Sequence, residues 1–177
     1  MDHHATGAAA SVPAGFHPLP PLGETFNTVI GPLYLGLRDG RLVGGLRVEK
    51  RHCNPAGSLH GGMSATLADI CMSLAVQFDH DLGAGTIVTV SMTVDYLGAG
   101  RPGDWVEIHS EIDRAGGTSF TRASILVPRE AGDATPIARA SAVFRTLRPA
   151  HGGKAPPHVG NLLRQQFGLP PFPAKPG

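Results

Sequence analysis

Apolar residues in the middle of the chain recur at the spacing of a helix. Between residues 62 and 78 they fall on one repeating set of positions: Met63, Leu67, Ile70, Leu74 and Phe78. The positions between them are mostly small, and the only charged residue in the segment is Asp69. A helix without a solvated face is buried, so the pattern predicts a central helix that carries one carboxylate.

Strand patterns flank this helix on both sides. Two runs before it, 33–38 and 41–48, are separated by Asp39-Gly40, which tolerates the positive φ of a tight hairpin turn. Four runs rich in β-branched residues follow it, with glycine-rich turns between them: 86–97, 104–114, 118–127 and 136–147. One buried helix among six strands predicts an α+β fold in which an antiparallel sheet curls around the helix. A second copy of the chain is the usual cover for the side that the sheet leaves open.

Proline and glycine are concentrated at the two ends of the chain. Residues 1–32 contain repeated prolines between apolar residues, so we expect an extension that packs on the surface with a short helix near residues 23–29. Residues 148–177 form a Pro/Gly-rich tail with, at most, a short turn at 161–167. The predicted domain is therefore 33–147.

Composition narrows the class of partner. The chain has 177 residues, of which 41% are hydrophobic and 16% charged, and its formal net charge is +1. It has no basic run to attract nucleic acid, no apolar stretch long enough to span a membrane, and no secretory leader pattern. Cys53 and Cys71 do not have the spacing of a disulfide framework or a zinc site. We therefore expect a cytoplasmic protein that acts on a small molecule.

The candidate chemistry lies just before and within the predicted helix. His60-Gly61-Gly62 leaves unpaired N–H groups at the helix start, where a carbonyl oxygen can approach closely and find the positive end of the helix dipole. Each of these residues has a structural alternative, because the glycines fit a turn and His60 fits a helix cap. Asn54, before a proline, fits a turn as well. Asp69 is the exception. Burial of an unpaired carboxylate in an apolar helix costs free energy, so a residue of this kind usually has a bonding partner or a functional role.

The spacing of these residues resembles that of a known family. Asn54-x2-Gly57-x2-His60-Gly61-Gly62-x6-Asp69, followed by Val88-Thr89-Val90-Ser91-Met92 and Asp95-Tyr96-Leu97, is similar to the hotdog-fold acyl-CoA thioesterases of the phenylacetate-pathway type. The resemblance covers residues 33–147. It implies a long central helix wrapped by a curved antiparallel sheet, active sites at the interface of two subunits, and a homotetramer made of two such dimers.

The resemblance also implies a role for each matching residue. The Gly61 N–H would polarise the thioester carbonyl, and Asp69 would act as general base or nucleophile. Asn54 would orient the thioester or the attacking water, and His60 would support the loop. Thr89 would help to hold the water from the strand of the facing subunit.

The implied substrate is an acyl-CoA, and no metal or cofactor is implied beyond the coenzyme A that belongs to the substrate. We expect Gly62, Met63, Met72 and Phe78 to contact the substrate, within a pocket whose lining fits aromatic or aliphatic acyl groups alike. Two alternatives use the same scaffold: a hotdog hydratase, and a non-catalytic acyl-CoA-binding or regulatory module. A nucleophilic pair of Cys53 and His60 is disfavoured because nothing in the sequence orients the histidine as a base.

Overall fold

The computed structural model describes residues 11–83, 85–129, 133–148 and 157–173. Its strands are β1 (Phe16–Pro18), β2 (Tyr34–Arg38), β3 (Arg41–Arg47), β4 (Thr86–Tyr96), β5 (Trp105–Arg114), β6 (Thr118–Pro128) and β7 (Ala134–Leu147). Its helices are α1 (Phe26–Ile30), α2 (Gly61–Asp79) and α3 (Val159–Gln166). None of the described helices is both long and apolar enough to cross a membrane.

The strands form one antiparallel sheet in the order β1-β2-β3-β5-β6-β7-β4. The core lies where α2 packs against this sheet, and its most deeply buried side chains come from both layers: Leu67, Met72, Ile108, Ile125 and Phe144. The predicted α+β architecture, a central helix against an antiparallel sheet, is confirmed. The helix and the six predicted strands all appear within two residues of their expected bounds.

The β2–β3 turn has the predicted geometry. Arg38 pairs with Arg41 across a two-residue loop, and both loop residues have positive φ, 51° at Asp39 and 75° at Gly40. These angles match the twist of the flanking strands, which explains why Asp-Gly occurs here.

Helix α2 is less enclosed than its apolar sequence suggests. The sheet buries the face that carries Leu67 and Met72, but Asp69, Ser73 and Gln77, spaced four residues apart, are only half-buried. Within one chain, one face of α2, the face that carries its carboxylate, therefore borders an open cleft, and its cover by a second copy stays a prediction.

Both extensions contribute secondary structure. The N-terminal extension supplies β1, whose residues Phe16 to Pro18 pair with β2, and the short helix α1. The C-terminal segment, for which at most a turn was expected, forms α3 and packs against α2 through Leu163, which is fully buried. The remaining residues of the two expected segments, 1–10, 149–156 and 174–177, lie outside the described residues.

Strand β4 forms an open edge of the sheet. Within the described chain it pairs with β7 on one side only, and a bulge interrupts that pairing between Thr89 and Ser91. Several of its large apolar side chains are exposed, including Val90 at 62% and Tyr96 at 57%. A long edge strand with exposed apolar residues is the kind of surface that pairs with another chain.

Candidate active site

The loop before α2 is held in shape by Asn54 and Ser58. The Asn54 side-chain oxygen accepts the Ser58 N–H at 3.2 Å, and its amide nitrogen donates to the Ser58 hydroxyl at 3.0 Å. Gly57 completes the turn with a positive φ of 78°. In this structure Asn54 therefore organises the loop. This is the structural role, that of a turn residue, which its position before a proline also allowed.

The end of this loop is tied to its surroundings on two sides. The Leu59 N–H donates to the Gly100 carbonyl at 2.8 Å, and the His60 N–H donates to the carbonyl of His52 at 2.9 Å. His52 is itself buried, and burial lowers the pKa of its imidazole, with the nearby charge of Arg51 acting in the same direction. These anchors fix where α2 begins.

His60 caps the first turn of α2. Its carbonyl accepts the Ser64 N–H at 3.0 Å, and its ring Nδ1 accepts the Gly62 N–H at 2.9 Å, so the ring proton lies on Nε2. Within the described part of the chain, the N–H of Gly61 has no acceptor. The expected support by His60 is thus a cap that occupies Gly62 and leaves Gly61 free to bind a carbonyl oxygen.

Tyr96, which received no role in the sequence-based prediction, lies against Gly61. Its hydroxyl donates to the Gly61 carbonyl at 3.2 Å, and a Cβ at Gly61 would lie 3.2 Å from its ring. A side chain at Gly61 would thus crowd the tyrosine, which explains the glycine without any unusual backbone angle. The sequence shows Tyr96 at the end of β4, but only the fold brings it to the start of α2.

Asp69 and Thr89 form the second part of the site. The Thr89 hydroxyl donates to Asp69 Oδ1 at 2.6 Å, which fixes one carboxylate oxygen and leaves the other without a side-chain partner among the described residues. Both residues belong to the same chain. Thr89 thus bonds the carboxylate of its own chain, and its expected place on a subunit that faces the Gly61 helix start stays a prediction.

A cleft of about 580 Å³ opens beside Asp69. Its walls come from α2, β4 and both chain extensions, with mostly apolar side chains such as Leu22, Ile70, Leu74, Ile87 and Leu162. Its volume lies within the range of small-molecule binding sites. A half-buried carboxylate at the mouth of an apolar cleft suits a reaction at one end of an apolar substrate.

Some of the expected substrate contacts lie elsewhere. Met72 is 0% exposed and accepts the Thr121 hydroxyl, and Phe78 is 2% exposed, so neither borders the cleft. Met63 also packs in the core, and the N–H of Gly62 is taken by His60. The helix period explains the correction for the apolar residues, because Met63, Met72 and Phe78 belong to the faces of α2 that other elements cover.

The cysteines do not form a nucleophilic site. The Cys53 thiol donates to the Glu49 carbonyl, and the His60 ring is bound to Gly62, so the two are not paired. Complete burial raises the pKa of Cys71 to about 12, so it stays a neutral thiol at physiological pH. Among the described residues, no group of three or more His, Cys, Asp or Glu side chains is placed to hold a metal ion.

Comparison with known proteins places these features in a family. The model of the thioesterase superfamily matches residues 56–123, which include Gly61, Asp69 and Thr89. A protein of Pseudomonas aeruginosa, named provisionally as an esterase, is 36% identical over 107 residues, which are 60% of this chain and 78% of that protein.

Human acyl-coenzyme A thioesterase 13 is 30% identical over 100 residues, which are 55% of this chain and 70% of the human protein. Among solved structures, zebrafish thioesterase superfamily member 2 aligns with a TM-score of 0.60 at 26% identity. That alignment covers 71% of this chain and 88% of the zebrafish chain. The family model, which ends at residue 123, does not reach the two extensions.

Proposed function

Because this chain belongs to the thioesterase superfamily, we propose that it hydrolyses acyl-CoA thioesters to a free acid and coenzyme A. The observation that carries the proposal is the Asp69 carboxylate, held by Thr89 at 2.6 Å at the mouth of the apolar cleft. The name of the human relative supports coenzyme A as the leaving group. No residue of the proposed site requires a metal or a cofactor.

Asp69 supplies the attacking group in this proposal. Its free oxygen either takes a proton from water, which then attacks the thioester carbon, or attacks that carbon itself to give an anhydride that water cleaves. In both routes negative charge develops on the carbonyl oxygen, and the Gly61 N–H stabilises it by about 3 kcal/mol. The bond to sulfur then breaks, and coenzyme A leaves as its thiol after protonation.

Gly61 and Asp69 of one chain are too far apart to act on the same carbonyl. They are separated by eight residues of helix α2, which corresponds to about 12 Å along its axis. Reacting groups must lie about 3–3.5 Å from the carbonyl that they attack or polarise. We therefore infer that the Gly61 N–H of one copy works with Asp69 and Thr89 of a second copy.

The open edge of the sheet supports this arrangement. β4 carries Thr89 and ends at Tyr96. Among the described strands its outer edge has no partner, and several of its apolar side chains are exposed. Pairing β4 of two copies would continue the sheet across both and cover these residues. It would also bring the Asp69 of each copy close to the shared interface.

The test is substitution of the acid. Asp69→Asn keeps the size of the side chain but removes its charge and its basicity, so kcat for a CoA thioester falls by about 10²–10⁴-fold. Hydrolysis is followed by trapping the released thiol with a chromogenic disulfide. Asp133→Asn, at an exposed aspartate after β6, is the matched control and keeps wild-type turnover.

Two results would contradict the proposal. Turnover by Asp69→Asn close to that of the wild type would remove Asp69 from the chemistry. Tight binding of acyl-CoA by a wild-type protein that hydrolyses none would favour the non-catalytic binding module instead.

A further inference from the structure

The cleft beside Asp69 is built partly from segments outside the family match. The family model covers residues 56–123. The cleft is lined not only by α2 and β4 but also by Pro21, Leu22 and Asn27 of the N-terminal extension and by Pro157, Val159 and Leu162 at the start of α3. Residues that are not shared with the family model thus form a wall of the candidate site.

The C-terminal part of this wall is firmly anchored. Gly160 lies so close to α2 that a Cβ there would stand 2.1 Å from the Gln77 carbonyl oxygen. Leu163, on the inner face of α3, is 0% exposed and packs with Leu74 and Phe78. The His158 ring caps α3 through Nδ1, and its Nε2 lies 3.1 Å from the Asp81 carboxylate. The helix is therefore a fixed part of the domain.

The two extensions are also joined to each other. The Gln166 side chain at the end of α3 donates to the Pro18 carbonyl in β1 at 2.8 Å. His17 and Phe167 stack edge to face with ring centroids 5.9 Å apart. Leu22 packs into the same apolar cluster as Leu163. Each extension thus supports the position of the other.

The floor of the cleft is one stripe of α2. Asp69, Ser73 and Gln77 follow one another at four-residue steps, so the cleft runs about 12 Å from the carboxylate toward the end of the helix. At that end Pro157, Val159 and Leu162, at the start of α3, line the cleft beside Gln77. A thioester carbonyl at Asp69 would therefore direct its acyl chain along α2 toward α3.

We propose that the two extensions form the end wall of an acyl pocket that accepts unbranched, medium-length apolar acyl groups. The identity of the ligand as an acyl-CoA rests on the proposed function, whereas the wall and its length come from the contacts above. An acetyl group leaves most of the cleft empty, and a palmitoyl chain is longer than the stretch of α2 between Asp69 and Gln77 that lines the cleft. Decanoyl-CoA buries the most apolar surface without clashing with α3.

Leu162 provides the test, because it borders the cleft and is 37% exposed, so the fold does not depend on it. Leu162→Trp fills the cleft and Leu162→Ala widens it. Leu169→Trp is the matched control, since Leu169 is 36% exposed in the same C-terminal segment and does not border the cleft. Binding of decanoyl-CoA and of free CoA is measured by calorimetry on full-length protein that also carries Asp69→Asn, so that hydrolysis does not interfere.

We expect Leu162→Trp to reduce the affinity advantage of decanoyl-CoA over CoA about tenfold, and Leu162→Ala to reduce it less. The decanoyl-to-acetyl ratio of kcat/KM, measured with Asp69 intact, falls in parallel. Leu169→Trp changes neither ratio. If Leu162→Trp and Leu169→Trp give the same affinity ratio as the unsubstituted background, the pocket is elsewhere and the inference is overturned.

The two proposals fail in different ways. Absence of hydrolysis by the wild type overturns the proposed function, while the calorimetric ratios still decide whether the acyl chain lies against α3. If the protein does not bind decanoyl-CoA at all, the proposal of an acyl pocket along α2 is overturned. A wild type that prefers palmitoyl-CoA over decanoyl-CoA contradicts the end wall, even when Leu162→Trp weakens binding.

Discussion

Neighbouring residues at the start of α2 have separate roles. The N–H of Gly62 is bound by the His60 ring, whereas the N–H of Gly61 has no acceptor among the described residues and the Gly61 carbonyl is held by Tyr96. A side chain would crowd a different ring at each glycine: Tyr96 at Gly61 and His60 at Gly62. The tyrosine is therefore a positioning residue: it holds the Gly61–Gly62 peptide, and this restrains the adjoining His60–Gly61 peptide, whose N–H would polarise the substrate.

Tyr96→Phe is expected to slow hydrolysis while leaving the fold intact. The variant loses one hydrogen bond to the Gly61 carbonyl, worth about 0.5–1.5 kcal/mol, and keeps the ring that packs over Gly61. A full loss of this energy in the transition state corresponds to a decrease in kcat of about twofold to twelvefold, with little change in KM, because the interaction with the carbonyl is strongest in the transition state.

Steady-state kinetics on decanoyl-CoA check this expectation. Tyr34→Phe is the control, since Tyr34 packs on Trp105 at 5.6 Å between ring centroids and lies on β2, which four strands separate from β4 in the sheet. A Tyr96→Phe variant whose kcat is unchanged would show that the hydroxyl has no positioning role.

At the scale of elements, β3 and α2 approach each other closely because of one glycine. A Cβ at Gly44 would lie 2.2 Å from the Cys71 sulfur, on the helix face that packs against the sheet. Glycine at this position permits contact between β3 and α2. The alternation of residues along β3 does not indicate that this contact exists. The close approach sets the depth of α2, and with it the position of Asp69 two residues earlier in the helix.

Gly44→Ala is therefore expected to destabilise the protein by about 1–3 kcal/mol, because a core that is already full must shift. Cys71→Ala removes the clashing sulfur, so the double variant recovers part of this loss. Urea denaturation of the wild type, the two single variants and the double variant gives the free energy of interaction between positions 44 and 71. Gly117→Ala, where nothing lies within 4 Å of the new methyl group, is the control. Strict additivity of Gly44→Ala and Cys71→Ala would refute the contact.

Sequence periodicity was sufficient for the long elements, and the short helix expected near residues 23–29 is present as α1, but β1 and the extent of α3 were missed. α2 and the strands from β2 to β7 each repeat their period several times, so their type and bounds were predictable. β1 has three residues and ends in a proline, and its pairing with β2 depends on the approach of distant segments. α3 was underestimated because its fixed position comes from Leu163 and Gly160 packing on α2, which no local pattern encodes.

The same division applies to the candidate site. Asp69, Gly61 and Thr89 were identifiable because their spacing matches a family motif, although the motif does not show which chain each residue comes from. Tyr96 and the cleft walls were not identifiable, since those contacts arise where α2 meets β4 and the extensions. Local sequence therefore indicates the candidate reacting groups, whereas the cleft beside them is visible only in the fold.

At the scale of the whole molecule, the separation of about 12 Å between Gly61 and Asp69 along α2 makes the proposed site a property of two copies. In a symmetric dimer each site then takes Gly61 from one chain and Asp69 from the other. A chain with Asp69→Asn retains a working Gly61, and a chain with Gly61→Val retains a working Asp69. A dimer of one chain of each kind has one intact site and one doubly damaged site.

This arrangement predicts complementation between two inactive variants. Asp69→Asn and Gly61→Val chains, co-expressed with different affinity tags and purified over both, should form mixed dimers with about half the wild-type kcat, whereas each variant alone is nearly inactive. Thiol release from decanoyl-CoA measures the activity, and circular dichroism establishes that Gly61→Val is folded. Sites contained within single chains would leave the mixed dimers as inactive as their parents, because each chain would still lack one essential group. Recovery of activity is thus expected only if the carboxylate of one copy and the helix start of the other meet at the same thioester.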